Sequence, residues 1–250
     1  MLQCKAPDIF VNAEPVLRQA DSEGVQVFYR TDHHWTTAGA YLAYRVYMPW
    51  LGKEPMPAEA FDSSVVSADF YGSQWSKNSL PGIVPDEINV FALREETGAV
   101  MDYQVEFFDG SNSWQASTIY QQEFLEQKDK YAYFLGQNQP LVVIRKADGR
   151  SGDAESEEYQ SVTEPNGEQE CVIAIKQKLL ILKDSYAHCF APFLLPHFDE
   201  IHLADLRYWR QDPIAYMEEQ GIQQVLFLYN ADSFTSDRSI SLLGTYLKRD

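Results

Sequence analysis

Residues 178–250 alternate between short apolar strands and helical segments, and this alternation constrains the fold more than any other feature of the chain. The strand-like runs are Lys178–Lys183, Glu200–Leu206 and Gln223–Tyr229. The helical runs are Tyr186–Leu195, Pro213–Gln220 and Ser236–Leu247. Apolar strands separated by helices are typical of a parallel sheet covered on both faces. The pattern therefore predicts an α/β fold with a mostly parallel sheet and an active site at the carboxyl ends of its strands.

A second feature is the block Thr31–Thr37, in which Asp32, His33, His34 and Trp35 follow one another directly. It comes after an apparent strand, Val25–Arg30, and before a helix predicted from Thr36 or Thr37 to Gly52. An aspartate two residues before a histidine can fix the imidazole tautomer and stabilise its charged form. Two alternatives remain open, a helix-capping aspartate beside surface histidines and a metal site. Adjacent histidines rarely converge on one ion, so we predict no metal.

Ser185 sits at a similar turn, directly after the strand-like run that ends at Lys183. At the start of a helix, unpaired N–H groups and the helix dipole would stabilise a tetrahedral oxyanion. The alternative is a structural N-cap formed by Ser185 or Asp184. The motif Gly-x-Ser-x-Gly is absent, so the nucleophile elbow of an ordinary α/β-hydrolase is not predicted.

Residues 56–177 are less regular than the segments on either side. Strands are predicted at Ile88–Leu93, Met101–Phe108, Leu141–Arg145 and Cys171–Ile175. The polar stretch Ala147–Gln169 is rich in Gly, Ser and Glu and predicts an exposed hairpin loop. We therefore expect one domain over residues 1–250 that contains a β-rich insertion at 56–177.

The net charge of the 250 residues is −17, which argues against nucleic-acid binding and against docking on anionic lipid. Three cysteines, Cys4, Cys171 and Cys189, give neither a disulfide framework nor zinc-ligand spacing. No apolar run is long enough to span a membrane, and no signal peptide opens the sequence. We expect a signal or anchor to precede these residues in the natural protein. No cofactor is predicted, and the oligomeric state stays open.

Three blocks together resemble the bacterial DHHW protein family: Thr31–Thr37, Lys183–Tyr186 and Asp205–Tyr208. That family is similar to the SGNH (GDSL-like) hydrolases and to the alginate O-acetylation proteins. In ordinary SGNH enzymes the serine block precedes the Asp-x-His block, whereas here the order is reversed. The resemblance therefore implies a circularly permuted SGNH-like three-layer sandwich. The serine block lacks the glycine of the usual Gly-Asp-Ser sequence.

The resemblance also implies roles for single residues. Ser185 matches the nucleophile, while His34 and Asp32 match the base and its orienting carboxylate. Asn230, at the end of a strand-like run, resembles the asparagine that donates to the oxyanion. Further substrate-binding candidates are Trp35, Tyr186 and Arg207. Asp205 and Arg207 form either a structural ion pair or a site for a substrate carboxylate, and both interpretations stay open. The segment Gly136–Asn138 is an alternative polar cluster near the site.

Two classes of function follow from these observations. The first is a serine esterase or O-acyltransferase that acts on an acetylated glycan of the cell envelope or the extracellular space. The second is a glycan-binding or assembly module that keeps the fold without turnover. Hydrolysis and transfer share an acyl-enzyme, so the sequence does not separate them.

Overall fold

The computed structural model describes residues 9–78, 81–97, 102–147, 159–163, 169–173 and 176–246. Ten strands are found in these residues: β1 Phe61–Phe70, β2 Asp86–Leu93, β3 Tyr103–Phe108, β4 Ser113–Ala116, β5 Leu141–Lys146, β6 Tyr159–Thr163, β7 Gln169–Ile173, β8 Lys178–Lys183, β9 Glu200–Ala204 and β10 Gln224–Leu228. Six helices accompany them: α1 Glu14–Ser22, α2 Thr37–Trp50, α3 Ser73–Asn78, α4 Pro213–Gln220, α5 Ala231–Ser236 and α6 Arg238–Tyr246.

The main sheet has six strands in the order β10-β8-β9-β5-β3-β4. Strands β10, β8 and β9 are parallel, as the alternation at the end of the sequence predicts. Strand β5 runs antiparallel to β9, and β3 and β4 continue that antiparallel pattern. The sheet is therefore mixed, and a mostly parallel sheet is not confirmed. Strands β3 and β4 are joined by the short connection 109–112, which suits antiparallel pairing, and β5 pairs antiparallel with the other edge of β3.

Strands β3 to β5 lie within residues 56–177 but are hydrogen-bonded into the main sheet. The other described strands of this stretch form two separate antiparallel pairs, β1 with β2 and β6 with β7. Strand β6 lies inside the stretch Ala147–Gln169 that is predicted to be an exposed hairpin loop, and it pairs antiparallel with β7. Residues 148–158 and 164–168 of that stretch lie outside the described residues. The division into one domain with an insertion at 56–177 stays a prediction.

Both faces of the sheet are buried along its central strands, whereas the edge strands β4 and β10 are partly exposed. Along β8, Leu179 and Ile181 pack into one hydrophobic cluster, while Leu180 and Leu182 pack into a second cluster on the opposite face. The first cluster includes the buried tyrosines of α2, whose apolar side chains recur at helical spacing. Continuous burial along a central strand explains why this run is apolar at every position.

Helix α2 confirms the helix predicted after the Asp-His-His-Trp block. Its N-cap is Thr36, whose side chain accepts a hydrogen bond from the backbone of Gly39. The single helix predicted at Tyr186–Leu195 is wrong, because the chain forms two 3₁₀ segments there, Ser185–Ala187 and Ala191–His197. Prolines at positions 192 and 196 lack the N–H groups that a continuous α-helix needs.

Smaller differences between the predicted and the observed elements concern their lengths and bounds. The strand predicted at Val25–Arg30 is reduced to one isolated bridge between Phe28 and Trp35. The helix predicted at Ser236–Leu247 is observed as α6, preceded by the short α5. Three predicted elements include residues outside the described ranges: the strands at Met101–Phe108 and Cys171–Ile175, and the helix at Ser236–Leu247. Among the described helices, none has the length and apolar character needed to cross a membrane.

Candidate active site

A chain of hydrogen bonds joins Ser185, His34 and Asp32. The Ser185 hydroxyl lies 2.6 Å from Nε2 of His34, and Nδ1 of the same ring is hydrogen-bonded to Oδ2 of Asp32. Because an ionised carboxylate only accepts, Nδ1 carries the ring proton and Nε2 is free to accept from the serine. The structure thus brings Ser185 to the Asp32–His34 pair, although Ser185 and His34 are 151 positions apart in the sequence.

Burial and hydrogen bonding together determine the charge states of Asp32 and His34. Burial raises the pKa of the Asp32 carboxyl, but hydrogen bonds from His33, His34 and Ser73 outweigh it and hold that pKa well below its usual range. Burial lowers the pKa of His34, and the neighbouring Asp32 charge opposes part of that shift. At neutral pH the pair is therefore a carboxylate beside a neutral imidazole, which is the form that accepts a proton from serine.

Asp32 and His34 lie in a loop, not at the carboxyl end of a sheet strand as predicted. A buried carboxylate, Asp86 at the start of β2, fixes this loop. Its Oδ2 accepts from the backbone N–H of Thr31 at 2.8 Å and from the Thr31 hydroxyl at 2.6 Å. Its Oδ1 accepts from the backbone N–H of Arg30 at 3.1 Å and from the Gln26 amide at 2.7 Å. Such a satisfied buried network gives the loop one conformation.

The start of α3 holds the other oxygen of Asp32. Both the backbone N–H and the hydroxyl of Ser73 donate to Oδ1 of Asp32, each at 2.7 Å. The preceding residue is Gly72, and a Cβ at that position would lie 2.2 Å from the Cβ of Asp32. A glycine is therefore required here for the two segments to approach one another.

Tyr131 also supports the site, and sequence reasoning missed it. Its ring stacks on the His34 ring with centroids 3.7 Å apart and planes 8° apart. Its hydroxyl lies 3.2 Å from the carbonyl oxygen of Ser185. The residue lies in a run of aromatic residues between Lys130 and Phe134 that carries no recognisable motif.

A cavity of about 740 Å³ opens over the Ser185–His34–Asp32 chain. Its wall includes the segment Gly136–Asn138, which the sequence offered as an alternative contributor, and His33. Leu135, directly before this segment, has a φ of 60°, and Gly136 has a φ of 73°. Two successive residues in the left-handed region turn the backbone sharply at the cavity wall, and such strain often marks a functional site.

Trp35 and Tyr186 hold the serine segment in place. The indole N–H of Trp35 donates to the carbonyl oxygen of Tyr186 at 3.0 Å, and the Tyr186 hydroxyl donates to the carbonyl oxygen of His33. These two bonds tie the 3₁₀ segment that carries Ser185 to the loop that carries His34. Trp35 is buried, so this contact is structural, and its predicted contact with substrate stays a prediction.

Arg207 combines the two interpretations that the sequence left open. Its guanidinium donates to both carboxylate oxygens of Asp205, at 2.8 and 2.6 Å. Asp205 is fully buried, whereas the Arg207 side chain is partly exposed and lines the cavity. The ion pair orients a cation toward the space above Ser185.

Asn230 lies at the carboxyl end of β10, but its amide is engaged in other bonds. Its Nδ2 donates to Oδ2 of Asp184 at 2.6 Å and to the Ser233 hydroxyl at 2.8 Å. Its Oδ1 accepts from the backbone N–H of Ser233 and caps α5. Both amide hydrogens are therefore used within the protein, and this geometry favours a structural role over the predicted oxyanion contact.

We expect Asn230→Ala to lower the free energy of unfolding by roughly 1–3 kcal/mol, because the buried Asp184 loses a donor and α5 loses its cap. Turnover per folded molecule should be unchanged. Thermal denaturation and acetyl-ester kinetics on the same variant check both statements. A fall in kcat of about 10²-fold or more at unchanged stability would instead assign Asn230 to the oxyanion.

Asp32, His33 and His34 are also residue types that bind metals. One potential ligand atom from each lies within 4.8 Å of the others. However, Nδ1 of His34 is already bonded to Asp32, and Nδ1 of His33 lies 2.7 Å from the Ser73 hydroxyl. A metal bound through these nitrogens would have to break the hydrogen-bond chain, so the geometry favours proton transfer over metal ligation.

Comparison with known proteins relates part of this sequence to a known domain family. Residues 5–75 match the family model for the SGNH hydrolase-like domain of acetyltransferase AlgX. Over this segment the chain is similar to an SGNH hydrolase-like domain. The matched segment contains Asp32, His34 and Ser73. The resemblance that the three sequence blocks indicate is therefore confirmed.

Two solved structures have a similar fold. A DHHW family protein from Eubacterium siraeum is 21% identical with a TM-score of 0.70, over 94% of this chain and 68% of that chain. PatB1 of Bacillus cereus, in a structure with a sulfonyl adduct, is 20% identical with a TM-score of 0.63, over 92% of this chain and 70% of that chain. No curated protein matches the sequence significantly. The circularly permuted three-layer arrangement stays a prediction.

Proposed function

We propose that this chain is a serine O-acyltransferase or esterase that acts on acetyl esters of a cell-envelope or extracellular glycan. The observation that carries the proposal is the hydrogen-bond chain from Ser185 through His34 to Asp32 at the base of an open cavity. The match to an acetyltransferase family model agrees with acyl transfer as the type of reaction.

In the first half of the reaction, the Ser185 oxygen attacks the carbonyl carbon of the acetyl donor. His34 Nε2 takes the serine proton as the new C–O bond forms, and Asp32 stabilises the resulting imidazolium. The tetrahedral intermediate then collapses, and His34 returns the proton to the leaving oxygen. The products of this half are an acetyl-Ser185 ester and the free alcohol of the donor.

In the second half, His34 removes a proton from an acceptor hydroxyl, which attacks the acetyl-Ser185 ester. The bond between the acetyl carbon and the Ser185 oxygen then breaks, and His34 returns the proton to that oxygen. Water as the acceptor gives hydrolysis, and a sugar hydroxyl gives transfer. The cavity favours a glycan, because aromatic side chains and a cation share its wall. Tyr71 and Tyr208 offer ring faces, and Arg207 offers a charged donor. Because the proposed substrate is an acetylated glycan of the cell envelope or the extracellular space, we propose the same location for the protein.

A sulfonyl fluoride tests the nucleophile directly. We expect phenylmethylsulfonyl fluoride to label Ser185, because a hydrogen-bonded neutral imidazole activates the hydroxyl. Mass spectrometry of the digested protein should locate the adduct on the peptide that contains Ser185. Ser185→Ala should abolish labelling. The matched control is Ser233→Ala, which removes a serine near the end of the neighbouring strand and should label like the unaltered protein.

The same preparations separate the functional classes. p-Nitrophenyl acetate should release nitrophenol in the presence and absence of an acceptor oligosaccharide, and acetylated oligosaccharide should form only with a transferase. Labelling away from Ser185, or no labelling and no turnover in a folded protein, would contradict the proposal. Glycan binding without turnover would point to a binding or assembly module.

A further inference from the structure

A buried lysine and a buried histidine lie directly beside Ser185, and the reaction described above does not use them. Lys183 is the last residue of β8, and His188 follows Ser185 by three residues. Lys183 is 1% exposed and His188 is 4% exposed. Nζ of Lys183 lies 2.7 Å from Nε2 of His188.

The direction of this hydrogen bond follows from the charges of the two groups. Burial lowers the pKa of Lys183 to about 8, so the amine is mostly protonated at neutral pH. Burial and the nearby Lys183 charge hold the pKa of His188 well below its usual range, so the imidazole is neutral. An ammonium group only donates, and Nε2 of His188 must therefore accept. The ring proton is then on Nδ1.

The Nδ1–H group of His188 has no hydrogen-bond partner among the described residues. The side chain also lines the cavity that contains Ser185. Because Lys183 occupies the Nε2 edge of the ring, the Nδ1 edge is the donor that remains for a bound molecule. Nδ1 of His188 is not one of the fully buried polar atoms that lack a partner among the described residues, so it is open to the cavity, and a bound molecule can take the place of water as its acceptor.

Resting on the function proposed above, we infer that the side chain of His188 donates a hydrogen bond to the oxyanion of the acyl-transfer reaction. When Ser185 attacks, the carbonyl π electrons move onto the ester oxygen, and the Nδ1–H of His188 donates to that oxygen without transferring its proton. The Lys183 charge behind the ring strengthens this donor, and Asp205, 3.8 Å from Nζ and also paired with Arg207, offsets part of the buried charge. Asn230 is engaged elsewhere, which leaves this role open for another side chain.

Two substitutions distinguish this role from a structural one. In His188→Gln, the amide oxygen can accept from Lys183 at the place of Nε2, but nothing donates at the place of Nδ1. In His188→Asn, the amide N–H can stand at the place of Nδ1, but Lys183 loses its partner. An oxyanion donor predicts that kcat for p-nitrophenyl acetate falls about 10²–10³-fold in His188→Gln with KM nearly unchanged. His188→Asn should keep kcat per folded molecule within about tenfold.

The control is His202→Asn, which alters another buried histidine that bonds Tyr216 and does not line the cavity. It should lower the melting temperature and spare kcat. A structural role for His188 predicts the reverse pattern, in which His188→Gln is active and His188→Asn is impaired. The inference would be overturned by that pattern, by equal losses in both variants, or by an unchanged kcat in His188→Gln. If His188→Asn does not fold, the result for His188→Gln alone decides. If the unaltered protein shows neither turnover nor labelling of Ser185, the proposed function itself is refuted.

Discussion

Ser185→Ala and His34→Ala should each lower kcat for an acetyl ester by roughly 10⁴–10⁶-fold. The reason is that the two side chains perform one step together. Without the hydroxyl there is no acyl-enzyme, and without the imidazole the hydroxyl is not activated. Steady-state release of p-nitrophenol, corrected for the uncatalysed rate, measures the loss in each variant.

The double variant makes this prediction sharper. If Ser185 and His34 act as a unit, Ser185→Ala with His34→Ala should be no slower than either single variant. Melting temperatures of the three variants establish that each is folded. Losses that multiply in the double variant would mean that the two residues act independently, and activity that survives Ser185→Ala would move the chemistry to another group.

The sequence predicted those parts of the fold that depend on local signals. Helix α2 was predictable because a threonine cap and an apolar helical repeat lie within one short stretch. The three parallel strands at the end of the chain were predictable from their apolar runs. The pairing of β5 between β9 and β3 was not, because strand neighbours are chosen by long-range contacts that no local pattern records.

The site divides in the same way. Asp32, His34 and Ser185 were predictable because each lies in a block whose residue types and spacing point to acid–base chemistry. Asp86, Ser73 and Tyr131 act through contacts with residues that are distant in the sequence, and each is an ordinary residue in its local context. The hydrogen-bond partners of Asn230 could not be predicted for a related reason. Its position at a strand end was predicted, but the partner of its amide depends on how β10 sits beside β8.

Asp32→Asn should lower kcat by about 10⁴-fold while leaving the fold intact. The two hydrogen bonds from Ser73 to Oδ1 of Asp32 decide how the new amide is oriented. The asparagine oxygen must stay where it accepts from Ser73, so the NH₂ group faces Nδ1 of His34. That nitrogen must then accept, and the ring proton moves to Nε2. A protonated Nε2 cannot take the proton of Ser185, and the base is lost through the wrong tautomer.

The pH profile of Asp32→Asn provides an independent check. His34 acts as a base only when neutral, so the rate of the unaltered protein falls as the pH drops through the His34 pKa, which burial places below its ordinary value. The Asp32 charge raises that pKa, and its removal should shift the acidic limb of the residual activity to lower pH. Asp62→Asn, which alters an exposed carboxylate paired with Arg94, is the matched control and should change neither kcat nor the limb. A limb that moves to higher pH in Asp32→Asn would mean that the carboxylate does not stabilise the imidazolium of His34, and the proposed proton path would be wrong.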